Sequence, residues 1–109
     1  MSKRRLTDVK EYLECANLDI KLPDGIENLF DVQNEVIRWL VTDDSNKKTL
    51  ELQFHLFDDQ GRPTSKLTDI LYAVTSDRKF KLYFEKRGSN EWRDGLSTFV
   101  EKIRSALVD

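Results

Sequence analysis

The stretch from Leu50 to Phe57, which reads LELQFHLF, decides how this chain folds. Apolar residues occupy every second position from Leu50, and Glu51, Gln53 and His55 lie between them. Alternation with a period of two places the two sets of side chains on opposite faces of an extended strand. We therefore predict a β-strand here, with one buried face and one wetter face.

A run of β-branched and aromatic residues, VIRWLV at 36–41, precedes this strand, and a short polar cluster separates the two. This composition is typical of a strand, and the short link predicts a hairpin of residues 35–42 with the strand that follows. A helix over 26–41 is the alternative, because four apolar positions also share one helical face: Leu29, Val32, Val36 and Leu40.

Two more strands are predicted after the hairpin. Residues 69–75 form an apolar run that ends at a turn signal, Ser76-Asp77, although a helix capped by Ser65 has compatible spacing and is the alternative. The next segment alternates cleanly and predicts another half-buried strand. Its inward set is Phe80, Leu82 and Phe84, and its outward set is Lys79, Lys81 and Tyr83.

Both ends of the chain have the spacing of amphipathic helices. Residues 7–17 repeat apolar side chains with helical period, and Thr7 is a suitable N-cap. The last segment has a longer apolar stripe, made by Trp92, Leu96, Phe99, Val100, Ile103 and Leu107. A glycine inside a helix costs up to ~1 kcal/mol relative to alanine, so Gly95 suggests that the regular helix begins at Asp94.

These elements predict one α+β domain over residues 1–109. We expect an antiparallel meander of about four strands, flanked by an N-terminal and a C-terminal helix. Both helices should pack on one face of the sheet, since each has an apolar stripe to bury. Leu18, Ile20 and Leu22 also alternate and hint at a short extended segment, and residues 1–5 are expected to form a flexible basic tail.

Composition excludes several classes of protein. The 109 residues fit one domain of common size. Hydrophobic residues make up 39% and charged residues 35%, which excludes a disordered chain and a membrane protein. The formal net charge of −2 gives no strong overall field toward nucleic acid or anionic lipid. No apolar signal-peptide core follows Met1, so we expect a cytoplasmic protein.

We expect neither a metal nor a cofactor. Cys15 is the only cysteine and His55 the only histidine, which excludes an intramolecular disulfide, a cysteine-rich zinc site and a multi-histidine centre. The four glycines are too far apart to form a glycine-rich phosphate loop. Cys15 lies beside the apolar stripe of the first helix and is expected to be a small residue at the edge of the core.

The best catalytic candidate is His55 with Asp58 or Asp59, as a general-base pair. The alternative is that His55 lies on the polar face of its strand and that the two aspartates open a turn. We prefer this alternative, because a catalytic histidine needs an orienting partner and a substrate pocket. We therefore expect that the protein is not an enzyme.

Charge is distributed unevenly along the chain. Residues 24–44 are acidic apart from Arg38, whereas basic residues crowd around the last predicted strand with a tyrosine among them. The molecule should therefore be electrically two-sided. The candidate binding residues are Arg78, Lys79, Lys81, Tyr83, Lys86 and Arg87.

Two functions are compatible with this pattern. The first is a small protein-interaction module, such as an adaptor, inhibitor, immunity or chaperone-like protein, with a protein partner and a possible homodimer. Trp39 lies on a predicted strand with apolar residues on both faces, so it is either covered on both sides or part of the interface, where Phe57 and Tyr72 would extend an aromatic patch. The alternative is a nucleic-acid-binding accessory protein that uses the basic strand at 78–87.

Overall fold

The computed structural model describes residues 2–43, 45, 48–66, 70–84 and 89–108. Within these residues, one helix precedes and one helix follows five strands along the sequence. The elements are α1 (Ser2–Cys15), β1 (Leu18–Lys21), β2 (Val36–Asp43), β3 (Lys48–Leu56), β4 (Ile70–Thr75), β5 (Lys81–Tyr83) and α2 (Ser89–Val108).

The five strands form one antiparallel sheet in the order β1-β2-β3-β4-β5. Every strand pairs with its neighbour in sequence, so the predicted meander and the α+β class are confirmed. The count exceeds the expected four or so because the short segment at Leu18–Lys21 is a true strand, whose Ile20 pairs with Val41.

The strand interpretation is confirmed at both places where a helix competed with it. In β2, Ile37, Trp39 and Val41 are buried on one face, and in β4 Ala73 is fully buried. Helical spacing arose there because both faces of these strands carry apolar side chains. The predicted start of β4 at residue 69 lies outside the described residues.

The first helix begins at Ser2, inside the segment that we expected to be a tail. Residues 2–5 continue the helix because its first turns have tertiary partners. Leu6 is fully buried, and the Arg5 guanidinium lies 4.8 Å from the centre of the Trp92 ring. The helix ends at Cys15, before Asn17 adopts a left-handed backbone conformation with φ of 65°.

The second helix begins at Ser89 rather than at Asp94, so Gly95 lies inside it. A Cβ atom at Gly95 would lie 3.7 Å from Leu82 Cδ1, an ordinary van der Waals distance, so α2 packs against β5 at this point. This packing offsets the helical cost from which the later start was predicted.

One core lies between the sheet and the two helices, which both pack against the same face. Trp39 is fully buried there, and its indole N–H donates a hydrogen bond to the Leu29 carbonyl oxygen at 2.8 Å. The segment between β1 and β2 therefore covers part of the same face. The Trp92 indole N–H donates to Asp8 Oδ2 at 3.1 Å and connects the two helices.

Candidate interaction surface

The opposite face of the sheet carries two rows of side chains that run across β2 to β5. Residues paired in an antiparallel sheet project from the same face, so the register defines these rows. The first row is Val36, His55, Tyr72 and Tyr83, and the second is Arg38, Gln53, Val74 and Lys81. We call the surface made by these eight residues the open face, because both helices pack against the other side of the sheet.

Aromatic rings are in mutual contact along the first row. The rings of His55 and Tyr72 are stacked with centroids 5.1 Å apart and planes at 20°, and Phe57 extends the stack at 6.3 Å from Tyr72. Tyr83 follows on β5, 5.9 Å from Tyr72 and 39% exposed. Neighbouring strands are about 4.8 Å apart, so stacking across them means that the rings turn their faces toward each other. The edges of the rings, rather than their faces, are therefore exposed to solvent.

Three cationic groups lie near enough to this stack to act on His55. Lys81 Nζ lies 4.3 Å from the centre of the Tyr72 ring, and Arg78 follows the end of β4. The Arg38 side chain is 43% exposed, and its Nε is 3.9 Å from Glu51 Oε1. That ion pair is long, and within the described part of the chain Arg38 Nε has no hydrogen-bond partner.

The charges of these three cations affect the pKa of His55. Burial lowers the pKa of His55 below its usual 6.5, and the positive charges of Arg78, Lys81 and Arg38 lower it further. Three charges from three parts of the chain therefore act on one imidazole. The open face is a site of positive potential, although the whole chain is slightly acidic.

The six candidate binding residues divide into three groups. Lys81 and Tyr83 lie on β5 and on the open face, as predicted. Arg78 and Lys79 belong to the turn between β4 and β5 rather than to the strand, because Asp77 Oδ1 accepts a hydrogen bond from the Lys79 N–H at 3.1 Å. The last two candidates, Lys86 and Arg87, lie outside the described residues.

His55 and Asp58 each have hydrogen-bond partners other than the one considered for catalysis. His55 Nε2 lies 3.1 Å from Gln53 Oε1 on the same strand. Asp58 Oδ1 instead accepts hydrogen bonds from the backbone N–H groups of Gln60 and Arg62, each at 2.9 Å. The interpretation of Asp58 as a turn residue is therefore confirmed.

In the part of the chain that the structure describes, neither a metal-binding cluster nor a core-edge cysteine is found. Among the residues that the structure describes, no three His, Cys, Asp or Glu side chains are grouped so that they could hold a metal ion. The expectation that Cys15 lies at the core edge is wrong, since it is exposed at the end of α1.

Two residues of the open face, Arg38 and His55, are not among the six candidate binding residues. In the sequence, Arg38 is a single cation within an acidic segment, and His55 is a candidate only for catalysis. Their alternation was visible, since both lie at outward positions of strands that pair in the hairpin. If residues are counted outward from the hairpin link on both strands, Arg38 and His55 fall in the two adjacent rows of the open face.

Comparison of the chain with protein-family models, curated proteins and solved structures found no match. A search of the described helices found none with the length and apolar character needed to cross a membrane.

Proposed function

We propose that this protein is a small, non-enzymatic, cytoplasmic interaction module that binds an acidic surface of a partner protein through its open face. The observation that carries the proposal is the convergence of Arg38, Arg78 and Lys81 around the stacked rings of His55 and Tyr72. Aromatic and arginine side chains are enriched in protein interfaces, where both provide large contact areas.

The acidic character of the partner follows from charge complementarity. Among the described residues that pair in the hairpin, Glu51 is the acidic side chain beside the two rows, and it pairs with Leu40 at the next outward position. A surface that presents carboxylates would gain favourable long-range attraction to the three cations, mainly as a faster association rate. The half-buried aromatic edges would then provide apolar area to be buried at the centre of the contact.

Nucleic acid is the second candidate, and ring orientation argues against it. A base-stacking platform needs aromatic faces that are free to receive a base. Here His55 and Lys81, from the strands on either side of β4, already contact the Tyr72 ring. The ring of Tyr83 is the most accessible one, and Lys81 Nζ lies 5.4 Å from its centre.

The absence of enzymatic activity is proposed on the chemistry of His55. A general base requires a group that orients it and a substrate pocket beside it. Gln53 is a neutral hydrogen-bond partner, and the neighbouring cations disfavour the protonated imidazole that base catalysis would form.

The test is a backbone-amide NMR titration of the full chain with two probes, a polyglutamate peptide and single-stranded oligothymidylate. We expect the peptide to shift the amide signals of His55, Tyr72 and Lys81 at low salt, with binding that weakens as salt rises. The double variant Arg38→Gln/Lys81→Gln should abolish these shifts. The matched control is Arg93→Gln/Arg104→Gln on α2, which removes the same charge and should bind normally.

Two results would contradict the proposal. Tighter binding of the oligonucleotide than of the peptide, with the same amides shifted, would establish the nucleic-acid function instead. If the α2 control lost as much peptide affinity as the open-face variant, binding would depend only on the net charge of the protein.

A further inference from the structure

The strand β5 ends the sheet, and its outer edge exposes unpaired backbone groups. The register fixes which ones. Thr75 N–H donates to the Phe80 carbonyl oxygen at 3.1 Å, and Phe84 N–H donates to that of Leu71 at 2.8 Å. Hydrogen-bonded pairs alternate along an antiparallel ladder, so Leu82 points its N–H and C=O groups toward Ala73.

The residues on either side of Leu82 therefore point their backbone groups away from the sheet. For Lys81 and Tyr83, the N–H and C=O groups face outward, and no partner for them is found among the described residues. Such an edge can pair with an added strand.

A groove runs beside this edge, between β5 and α2. Its first part is a cavity of about 290 Å³ lined by Leu82, Gly95, Thr98 and Phe99, with Lys81, Tyr83, Asp94 and Lys102 around it. A second cavity of about 440 Å³ continues it past Phe80 and Ala106, and Thr98 and Lys102 line both. The groove can therefore accept the side chains that an added strand would direct toward α2.

We propose that the outer edge of β5 binds an extended segment of a partner protein, in which acidic residues alternate with apolar ones. Side chains of the added strand alternate between the two faces of the sheet. Those level with Leu82 would project into the groove, over Phe99 and the gap left by Gly95. Those level with Lys81 would project onto the open face.

The alternation of acidic and apolar residues in the added segment follows from the two environments that its side chains would enter, the open face and the groove. On the open-face side, the added side chain lies next to Lys81 within the positive potential described above, which favours a carboxylate. On the groove side, Lys102 is balanced by Asp94 and Glu101, and the lining is largely apolar, which favours an aliphatic side chain. Lysine on an edge strand also discourages a second copy of the chain from pairing there.

The proposal deepens the proposed function but depends on a different set of atoms, the outward backbone groups. A suitable probe is a peptide of alternating glutamate and valine, about seven residues long, within the usual range of strand lengths. The readout is amide hydrogen exchange. In the free protein the Leu82 amide should be protected, whereas those of Lys81 and Tyr83 should exchange rapidly; the peptide should slow both.

Three variants separate backbone pairing from charge. Lys81→Pro removes one outward N–H and leaves the bonds to β4 intact, and proline is tolerated at such edge positions. It should weaken peptide binding about tenfold relative to Lys81→Ala, which removes the same ammonium group but keeps the N–H. Thr98→Trp should weaken binding similarly by filling the groove without touching the strand. Circular dichroism and thermal melting establish that each variant is folded.

The outcomes for the two sites are distinguishable. Loss of alternating-peptide binding in Arg38→Gln/Lys81→Gln, together with equal binding by Lys81→Pro and Lys81→Ala and full binding by Thr98→Trp, would overturn strand addition and leave the open face as the site. The Lys81 and Tyr83 amides could also be protected in the free protein, with light scattering showing a dimer. A second copy of the chain would then occupy the edge, and this result would also overturn the proposal of a partner segment.

Discussion

The ammonium nitrogen of Lys81 lies 4.3 Å from the centre of the Tyr72 ring on the neighbouring strand. The two residues are diagonal neighbours, because Lys81 pairs with Val74 and Tyr72 pairs with Tyr83. The lysine therefore contributes to the fold as well as to the charge of the open face.

We expect Lys81→Gln to lower the free energy of unfolding by about 0.5–1 kcal/mol, the usual range for an exposed cation over an aromatic ring. Urea denaturation measures the change. Lys81→Arg should recover most of it, since a guanidinium also binds a ring face. If Lys102→Gln, which removes an exposed lysine from α2, cost as much, the ring contact would have no specific role.

The pH dependence of stability should contain a contribution from His55. Burial, followed by Arg78, Lys81 and Arg38, lowers its pKa in the folded state below 6.5, so the unfolded chain binds the proton more readily. The stabilisation is complete above pH 6.5 and is lost as the pH falls through 6.5 toward the folded-state value. NMR titration should give a midpoint below 6.5, and His55→Gln should flatten the stability profile between about pH 7.5 and pH 5. A midpoint above 6.5 would contradict the positive potential.

Arg78 has a left-handed backbone with φ of 61°, in a hairpin turn where glycine is the usual residue. We expect Arg78→Gly to raise the free energy of unfolding by up to about 1 kcal/mol, since glycine adopts this conformation without steric cost. Thermal denaturation measures the gain, and Arg78→Ala, which removes the charge but keeps Cβ, should not show it. Both variants should raise the pKa of His55.

The two faces of the sheet should respond differently to the same substitution. Leu52 is fully buried on the helix side, whereas Leu40 is half-buried on the side away from the helices. Leu52→Ala should cost about 2–5 kcal/mol, as for other buried leucines, and Leu40→Ala should cost less than about 1.5 kcal/mol. Chemical denaturation of both variants is the test. Equal costs would mean that Leu40 is also fully covered in the folded protein, although it lies on the side of the sheet away from the helices.

Asp8 should be important for the stability of both helices. Its carboxylate accepts the hydrogen bond of the Trp92 indole N–H, a donor that is almost completely buried. Asp8→Ala should lower the free energy of unfolding by about 1–3 kcal/mol, the cost of leaving a buried donor without an acceptor. Asp8→Asn keeps an acceptor oxygen and should cost less. Identical losses in urea denaturation would show that charge alone matters at this position.

Sequence alternation predicted the strands well because their two faces are chemically different. The stretch Leu50–Phe57 alternates, and its neighbours are joined to it by polar links, so the order of the meander followed directly. Alternation could not predict which residues oppose each other on β3 and β4. The link between them is long, and the register shifts between His55 and Leu56. The stack of His55 on Tyr72 was therefore visible only in three dimensions.

The helix boundaries were missed for a related reason. Local rules placed the starts at Thr7 and Asp94, where capping and propensity favour them. The observed starts depend on contacts far away in the chain, including that of Arg5 with Trp92 and the hydrogen bond between Trp92 and Asp8. Tertiary packing overrode weak local preferences, as it commonly does.

The hydrogen bond between Asp8 and Trp92 joins positions 84 residues apart and has a consequence for biosynthesis. Translation adds about 5–20 residues per second, so α1 leaves the ribosome seconds before the tryptophan is incorporated. During that interval its apolar stripe lacks one of its final neighbours and is open to chaperones. The native pair of helices can form only after Trp92 has been added and has left the ribosome.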